Sequence, residues 1–164
     1  SKEHGMEQIE KIRRHPLYQE CMGKIEAAEK ERIFCGHHTE HLLDVARIAY
    51  IRNLEQGLGF SKETIYSAAL LHDIGKFRQY EDGTPHEKAG YEISRQILAD
   101  CGVDGKERQN ILDAILEHRR ITSPMTELGR LLYDSDKMSR ACYSCTAEAM
   151  CDWSKDKKNM KIVY

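Results

Sequence analysis

The 164-residue sequence predicts an all-α fold, a single-domain helical bundle of about seven helices. Three observations carry this. Apolar residues recur at helical spacing along almost the whole chain, and no sustained alternation of apolar and polar residues marks a strand. The interruptions carry helix punctuation, with Gly after one helix and Ser, Thr or Asp before the next.

The elements follow in order from these breaks. A break near Pro16 separates the first two helices, and "CGHH" at 35–38 ends the second. The third contains "HLLDVARIA" (41–49) and stops at "QGLGFSKE" (56–63). The fourth runs into "LLHDIGK" (70–76), where Gly75 is a helix stop, and its stretch closes at "EDGTPHE" (81–87). The fifth ends at "CGVDGKE" (101–107), the sixth at "TSP" (122–124), and the last runs from near Met125 to near Cys151. Residues 151–164 read as a solvated tail with one anchor, Trp153, and the whole of 1–164 as one domain.

Composition narrows the function classes. A formal charge of −2 with 32% charged residues of both signs offers no basic field for a nucleic-acid polymer. No stretch approaches the roughly 20 apolar residues that span a membrane, and the first residues lack a signal peptide's apolar segment, so a cytoplasmic protein is expected. The six cysteines are then expected as reduced thiols. Cys142 and Cys145 continue a stripe from Leu128, Leu131, Ser135 and Met138 to Ala149 on the last helix, where cysteine serves as a small hydrophobe. With Cys151 they resemble a zinc cluster only superficially, because the local sequence offers no fourth ligand.

The chemistry lies in the histidines. His41 is followed by Val45 and Ile48, and His72 is preceded by Ala68 and Ile65. His86 precedes Ala89 and Ile93, His118 follows Ile111, Ala114 and Ile115, and Asp136 follows Leu132. Five helices or helix ends thus each aim a metal-capable side chain at the core. A lone histidine on such a face is ordinarily a satisfied core residue, but burying this many polar groups is costly unless they share a partner, and a metal centre is one. His72 and Asp73 stand only about 100° apart around a helix, and the two oxygens of an aspartate can bridge cations about 3.5–4 Å apart. Imidazole and carboxylate without thiolate suit iron, manganese or zinc. Two divalent cations against two carboxylates leave about +2, which favours an anionic substrate. Spacing leaves the first ligand open between His38 and His41, and the last between Asp134 and Asp136.

The series His41, His72-Asp73, Asp136 resembles the H…HD…D signature of the HD superfamily of metal-dependent phosphohydrolases, and "LLHDIGK" resembles its HDIG variant. The likeness spans 38–140, with "HLLDVARIA" similar to the first motif and "LLYDSDKM" (131–138) to the last; it favours His41 and Asp136 over their neighbours. His86 in "PHEKAG" and His118 in "ILEHRR" resemble the additional ligands of the two-metal subset, which includes symmetrical diadenosine tetraphosphate hydrolases. No GYP-type motif follows "HDIGK", unlike the HD-GYP cyclic-di-GMP phosphodiesterases. The resemblance implies two divalent transition metals, iron or manganese first, with zinc, cobalt or magnesium as the remaining candidates, held by His41, His72, Asp73, His86, His118 and Asp136. It implies hydrolysis of a phosphoester or phosphoanhydride, with a nucleotide or dinucleoside polyphosphate as the expected substrate. Lys76, His38, Arg119 and Arg78 are the candidate contacts to substrate phosphate, Lys76 also aiding catalysis. A di-iron HD-type oxygenase and a nucleotide-binding module without turnover are the rival expectations, and a homodimer is kept open.

Overall fold

The computed structural model describes residues 4–30, 38–118, 124–140, 142–145, 147, 151, 153 and 158–164. Eight α-helices lie among them: α1 (His4–Arg14), α2 (Pro16–Glu29), α3 (Thr39–Gln56), α4 (Lys62–Leu71), α5 (Lys76–Asp82), α6 (His86–Asp100), α7 (Gly105–Glu117) and α8 (Glu127–Met138). The expected all-α class holds, and these residues contain no strand. The eighth helix arises because the stretch expected as one element splits at residues 72–75 into α4 and α5.

The punctuation acts as read. Ser61, Asp104 and Thr126 are N-caps whose side-chain oxygens accept the backbone N–H of Thr64, Glu107 and Gly129. Pro16 opens α2 at a position that needs no N–H donor, and Gly57 ends α3 in the left-handed conformation.

The core forms around α4, which packs against α1, α3, α7 and α8. Every residue of α4 from Thr64 to Leu71 is buried except the half-buried Tyr66. Ala68 and Ala69 let neighbouring helices approach closely, while Ile65, Leu70 and Leu71 bury fully, each worth about 1.5–3 kcal/mol of transfer free energy. One apolar cluster runs from Ile9 and Ile12 of α1 to Leu131 and Leu132 of α8. A helix buried on nearly all sides has no solvent at its C-terminus, so the residues that leave it, His72 and Asp73, enter the interior.

The expectation for the last helix needs correction. α8 stops at Met138, and Cys142–Ser144 form a separate 3-10 turn, so the stripe through Cys142 and Cys145 does not lie on one helix. The cause is local. Ser139 at the C-cap turns its hydroxyl back onto Asp136 O at 2.7 Å, and Asn159 Nδ2 donates to Lys137 O at 2.6 Å and Arg140 O at 2.7 Å. The last carbonyls are thereby satisfied by side chains. Cys142 is buried all the same, Cys145 and Cys151 are half-buried, and Cys21, Cys101, Cys142, Cys145 and Cys151 form no disulfide. Among the described residues of 151–164, Asn159 is a second anchor besides Trp153, whose ring faces Lys137 Nζ at 5.6 Å, and residues 160–164 are exposed.

Gly75 sets the spacing between the turn after α4 and helix α6. A Cβ on Gly75 would stand 2.3 Å from His86 O and 2.4 Å from Gly90 N, both backbone atoms that cannot rotate away. Gly75→Ala must therefore push the turn off α6. The expected cost is about 1–3 kcal/mol, a Tm lowered by roughly 2–12 °C in thermal unfolding. An unchanged Tm would show that the turn and α6 can part freely.

Candidate metal centre

Helix ends build the site. His41 lies in the first turn of α3, His72 is the C-cap of α4, Asp73 follows it, His86 is the first residue of α6, His118 is the C-cap of α7, and Asp136 sits near the end of α8. His72, Asp73, His86 and His118 are buried, and His41 and Asp136 nearly so.

Two sets of donor atoms result. In each, the candidate ligand atoms lie within 4.8 Å of one another: His41, His72, Asp73 and Asp136 form one, Asp73, His86 and His118 the other. Asp73 belongs to both, with one oxygen facing each. Its Oδ2 is 3.0 Å from His72 Nε2, and its Oδ1 is 3.3 Å from His118 Nε2 and 3.6 Å from His86 Nε2. On the first side, Asp136 Oδ1 is 3.1 Å from His41 Nε2 and 3.6 Å from His72 Nε2.

The imidazoles show what the sets can hold. His72 Nδ1 lies 2.5 Å from Ala69 O, and His118 Nδ1 lies 2.7 Å from Ile115 O. A carbonyl only accepts, so each Nδ1 carries the proton. His86 Nδ1 faces Gln79 Oε1 at 2.7 Å, and His41 Nδ1 faces the Ser139 hydroxyl at 3.3 Å, whose own proton goes to Asp136 O. In the neutral rings every Nε2 lone pair then points inward. His86 Nε2 and His118 Nε2 stand 3.0 Å apart, two lone pairs that require a proton or a cation between them. His72 Nε2 is fully buried, and its 3.0 Å approach to Asp73 lacks the angle of a hydrogen bond. An orphaned nitrogen and opposed lone pairs among carboxylates fit metal ligation.

Charges in the metal-free cluster agree. Burial opposes a charge on His72, but the Asp73 carboxylate, with Asp136 beside it, overrides this and pushes its pKa up to about 10. Burial would raise the Asp136 carboxyl, yet its contacts with His41 and His72 hold it well below the usual carboxylate range. Burial lowers the pKa of His41 against the pull of Asp136.

The remaining candidates are placed less centrally. His38 is the exposed N-cap of α3, one turn before His41, so geometry resolves the choice of cluster member toward His41. Asp134 faces Arg52 and Arg130 rather than the cluster, leaving Asp136 inside it. Lys76 is half-buried, with Nζ 5.8 Å from the centre of the Tyr80 ring. It begins α5 instead of ending α4, a position where a positive charge opposes the dipole of α5. Arg78 is exposed and pairs with Asp82 at 3.2 Å, outside the cluster. Arg119 lies outside the described residues, as does its neighbour Arg120. Among the described residues, no candidate metal group includes a cysteine.

Sequence reading missed Gln79 and Ser139, and also the role of Ala69 and Ile115. The last two were within reach: a histidine that ends a helix finds the orphan carbonyl three residues back, as His72 and His118 do. Gln79 and Ser139 act across tertiary contacts that leave no periodic trace.

Comparison with known proteins now bears on this geometry. The sequence profile of the HD domain matches residues 39–141. The chain belongs to the HD domain family. A predicted HD superfamily hydrolase from an uncultured Thermotogales bacterium, solved at 1.45 Å, shares the fold, with a TM-score of 0.62 at 23% identity over 90% of this chain and 84% of that one. An uncharacterized protein of Clostridium beijerinckii is 50% identical to this HD domain over 136 residues, 83% of this chain and 85% of the relative. Ribonuclease Y of Thermotoga petrophila is 30% identical over 128 residues, 77% of this chain, which spans only 22% of that enzyme's length. No described helix is long and apolar enough to cross a membrane.

The His72 pKa generates a pH prediction. Raised to about 10 from an ordinary 6.5, the protonated ring stabilises the metal-free fold fully below pH 6.5, and this contribution is lost as pH rises through about 10. A cation at His72 Nε2 must displace that proton. Calorimetric titration of Mn²⁺ near pH 7.5 in buffers of different ionisation enthalpy should register release of at least about one proton per chain, with affinity rising roughly tenfold per pH unit. Uptake without proton release would contradict the assignment of His72.

Proposed function

We propose that this HD domain is a metal-dependent phosphohydrolase that cleaves a phosphoester or phosphoanhydride bond in a nucleotide or dinucleoside polyphosphate. The observation that carries the reading is the Asp73 carboxylate, turned with one oxygen to each imidazole set. His41, His72, Asp73 and Asp136 would hold one divalent cation, and Asp73, His86 and His118 a second, iron or manganese ahead of zinc, cobalt or magnesium. Bound cations would supply Lewis-acid polarisation of a phosphoryl oxygen and a lowered pKa for water.

The chain's own groups orient and exclude. The carbonyls of Ala69 and Ile115, Gln79 and the Ser139 hydroxyl fix each ring so that Nε2 faces inward. Burial of four of the six cluster residues keeps bulk water from their charges, which strengthens each interaction with an anionic phosphate. Lys76, three residues after Asp73 and half-buried, would stabilise the charge that gathers on the phosphoryl oxygens. His38 at the exposed start of α3 and Arg119 are the further proposed contacts, while Arg78 would have to leave Asp82 to join them. The substrate rests on the resemblance to diadenosine tetraphosphate hydrolases, and the likeness to ribonuclease Y makes RNA the competing substrate to test.

The test pairs metal content with turnover, using nucleotides, dinucleoside polyphosphates, simple phosphomonoesters and an RNA oligonucleotide, with iron and manganese, in air and without oxygen. Phosphate-bond cleavage that stops on chelation and returns with metal is expected. Asp73→Ala should lose the metals and the activity together. Lys76→Ala should keep its metals and lose roughly 10²–10³ in kcat/KM, as for removal of one preorganised charge. Full activity in Lys76→Ala would remove the lysine from the mechanism. Oxygen-dependent turnover without phosphate release, binding without turnover under every metal, or cleavage confined to RNA would each overturn the reading.

A further inference from the structure

Two opposite charges stand at the disfavoured ends of their helices, and one tyrosine lies between them. Glu29 is the last residue of α2, where the dipole opposes a carboxylate, and it is buried, only 4% exposed. Lys76 is the first residue of α5, where the dipole opposes an ammonium. Tyr80, one turn further along α5, meets both. Its hydroxyl donates to Glu29 Oε2 at 2.5 Å, and Lys76 Nζ lies over its ring, 5.8 Å from the centre. That hydrogen-bond length is in the range of a hydroxyl donating to an ionised carboxylate. A cation within about 6 Å of a ring face is drawn to its electrons. Donation to an anion polarises the phenol toward more negative charge on the ring, so the two contacts reinforce each other.

The backbone by itself does not place the ammonium. Lys76 N–H donates to Asp73 O at 2.9 Å, which holds the lysine's Cα one turn from the shared carboxylate, but a flexible four-carbon stem separates Cα from Nζ. The ring narrows the choice, and Glu29 fixes the ring from another helix. α2 precedes residue 39, where the match to the HD profile begins, and α5 packs against both α2 and α6. A second contact joins α2 to α5 away from the lysine, with Lys24 Nζ 5.1 Å from the centre of the Phe77 ring. Neither contact of Tyr80 excludes further partners of Glu29, Tyr80 or Lys76.

We propose that Tyr80, anchored by Glu29, is a positioning residue for Lys76, holding its ammonium ready for the substrate's phosphate. The positioning stands on the two contacts; its role in turnover rests on the phosphohydrolase reading.

The experiment reads contact and rate separately. In the full chain without metal, lysines are reductively methylated with isotope-labelled formaldehyde, and the Lys76 resonance is identified by its loss in Lys76→Arg. Its methyl protons should show the upfield shift of a group over an aromatic face. Tyr80→Leu should abolish that shift, Glu29→Leu should diminish it with the tyrosine still present, and Lys24→Ala should leave it in place. In protein loaded with Mn²⁺ and assayed on its best phosphate substrate, Tyr80→Leu and Glu29→Leu should each lower kcat about tenfold or more with metal content unchanged. Glu29→Gln, whose carbonyl still accepts the phenol proton, should lose less. Neither leucine variant should cost anything further in a Lys76→Ala background. Tyr80→Phe removes only the hydroxyl and serves if Tyr80→Leu does not fold; it should match Glu29→Leu.

An unshifted Lys76 resonance in the wild type, or a shift undiminished by Glu29→Leu, would overturn the positioning. So would full turnover in both Tyr80 variants, or a loss as large in the Lys76→Ala background as in the wild type, which marks a purely structural contact. If none of the proteins cleaves a phosphate bond, the hydrolase reading and the lysine's role in it fail, whereas the ring shift still decides whether Tyr80 and Glu29 hold Lys76.

Discussion

One carboxylate faces two ways, and much of the molecule is arranged to hold it there. Asp73 leaves a helix buried on nearly every side, so it cannot turn to solvent, and its oxygens meet His72 on one side and His86 and His118 on the other. A buried carboxylate without compensation costs several kcal/mol, and a single buried ion pair seldom restores that cost. The compensation here is collective. An imidazolium at His72 serves the metal-free protein, and cations would serve the loaded one, in which the protonated ring gives way to a ligand. The same carboxylates that hold a proton on His72 make the cluster a strong site for positive charge.

Several ordinary features of the fold acquire a purpose from this. The alanines of α4 admit close neighbours, Gly75 lets the turn press against the first residues of α6, and α4 and α7 end on histidines whose Nδ1 protons satisfy terminal carbonyls. A backbone group that would be orphaned at a helix end thereby fixes the tautomer of a ligand. Local structure and site chemistry are met by one hydrogen bond.

Much of the cluster is legible in the sequence because its members sit on periodic faces. His41 with Val45, and His118 with Ile111, Ala114 and Ile115, declare by spacing alone which way they point, and those apolar partners are buried in the core. Spacing alone left His38 and His41 open, since three residues separate two positions on nearly one face; depth at the helix start decided it, leaving His38 exposed at the cap. The end of α8 was illegible for another reason. Its apolar stripe continues through Cys142, but Ser139 and Asn159 satisfy the terminal carbonyls, and a cap delivered from twenty residues downstream has no local signature. Gln79 behind His86 is likewise a contact between helices, invisible to periodicity.

The central claim is that the two sets of donors form one dinuclear centre joined through Asp73. Electron paramagnetic resonance of anaerobic protein titrated with Mn²⁺ tests it most directly, since spins bridged by a carboxylate couple and isolated ions do not. The account predicts that the simple signal of a single bound ion gives way, as the second equivalent binds, to the broadened multiline spectrum of a coupled pair. Saturation at one equivalent, or two equivalents that retain the uncoupled signal, would contradict it.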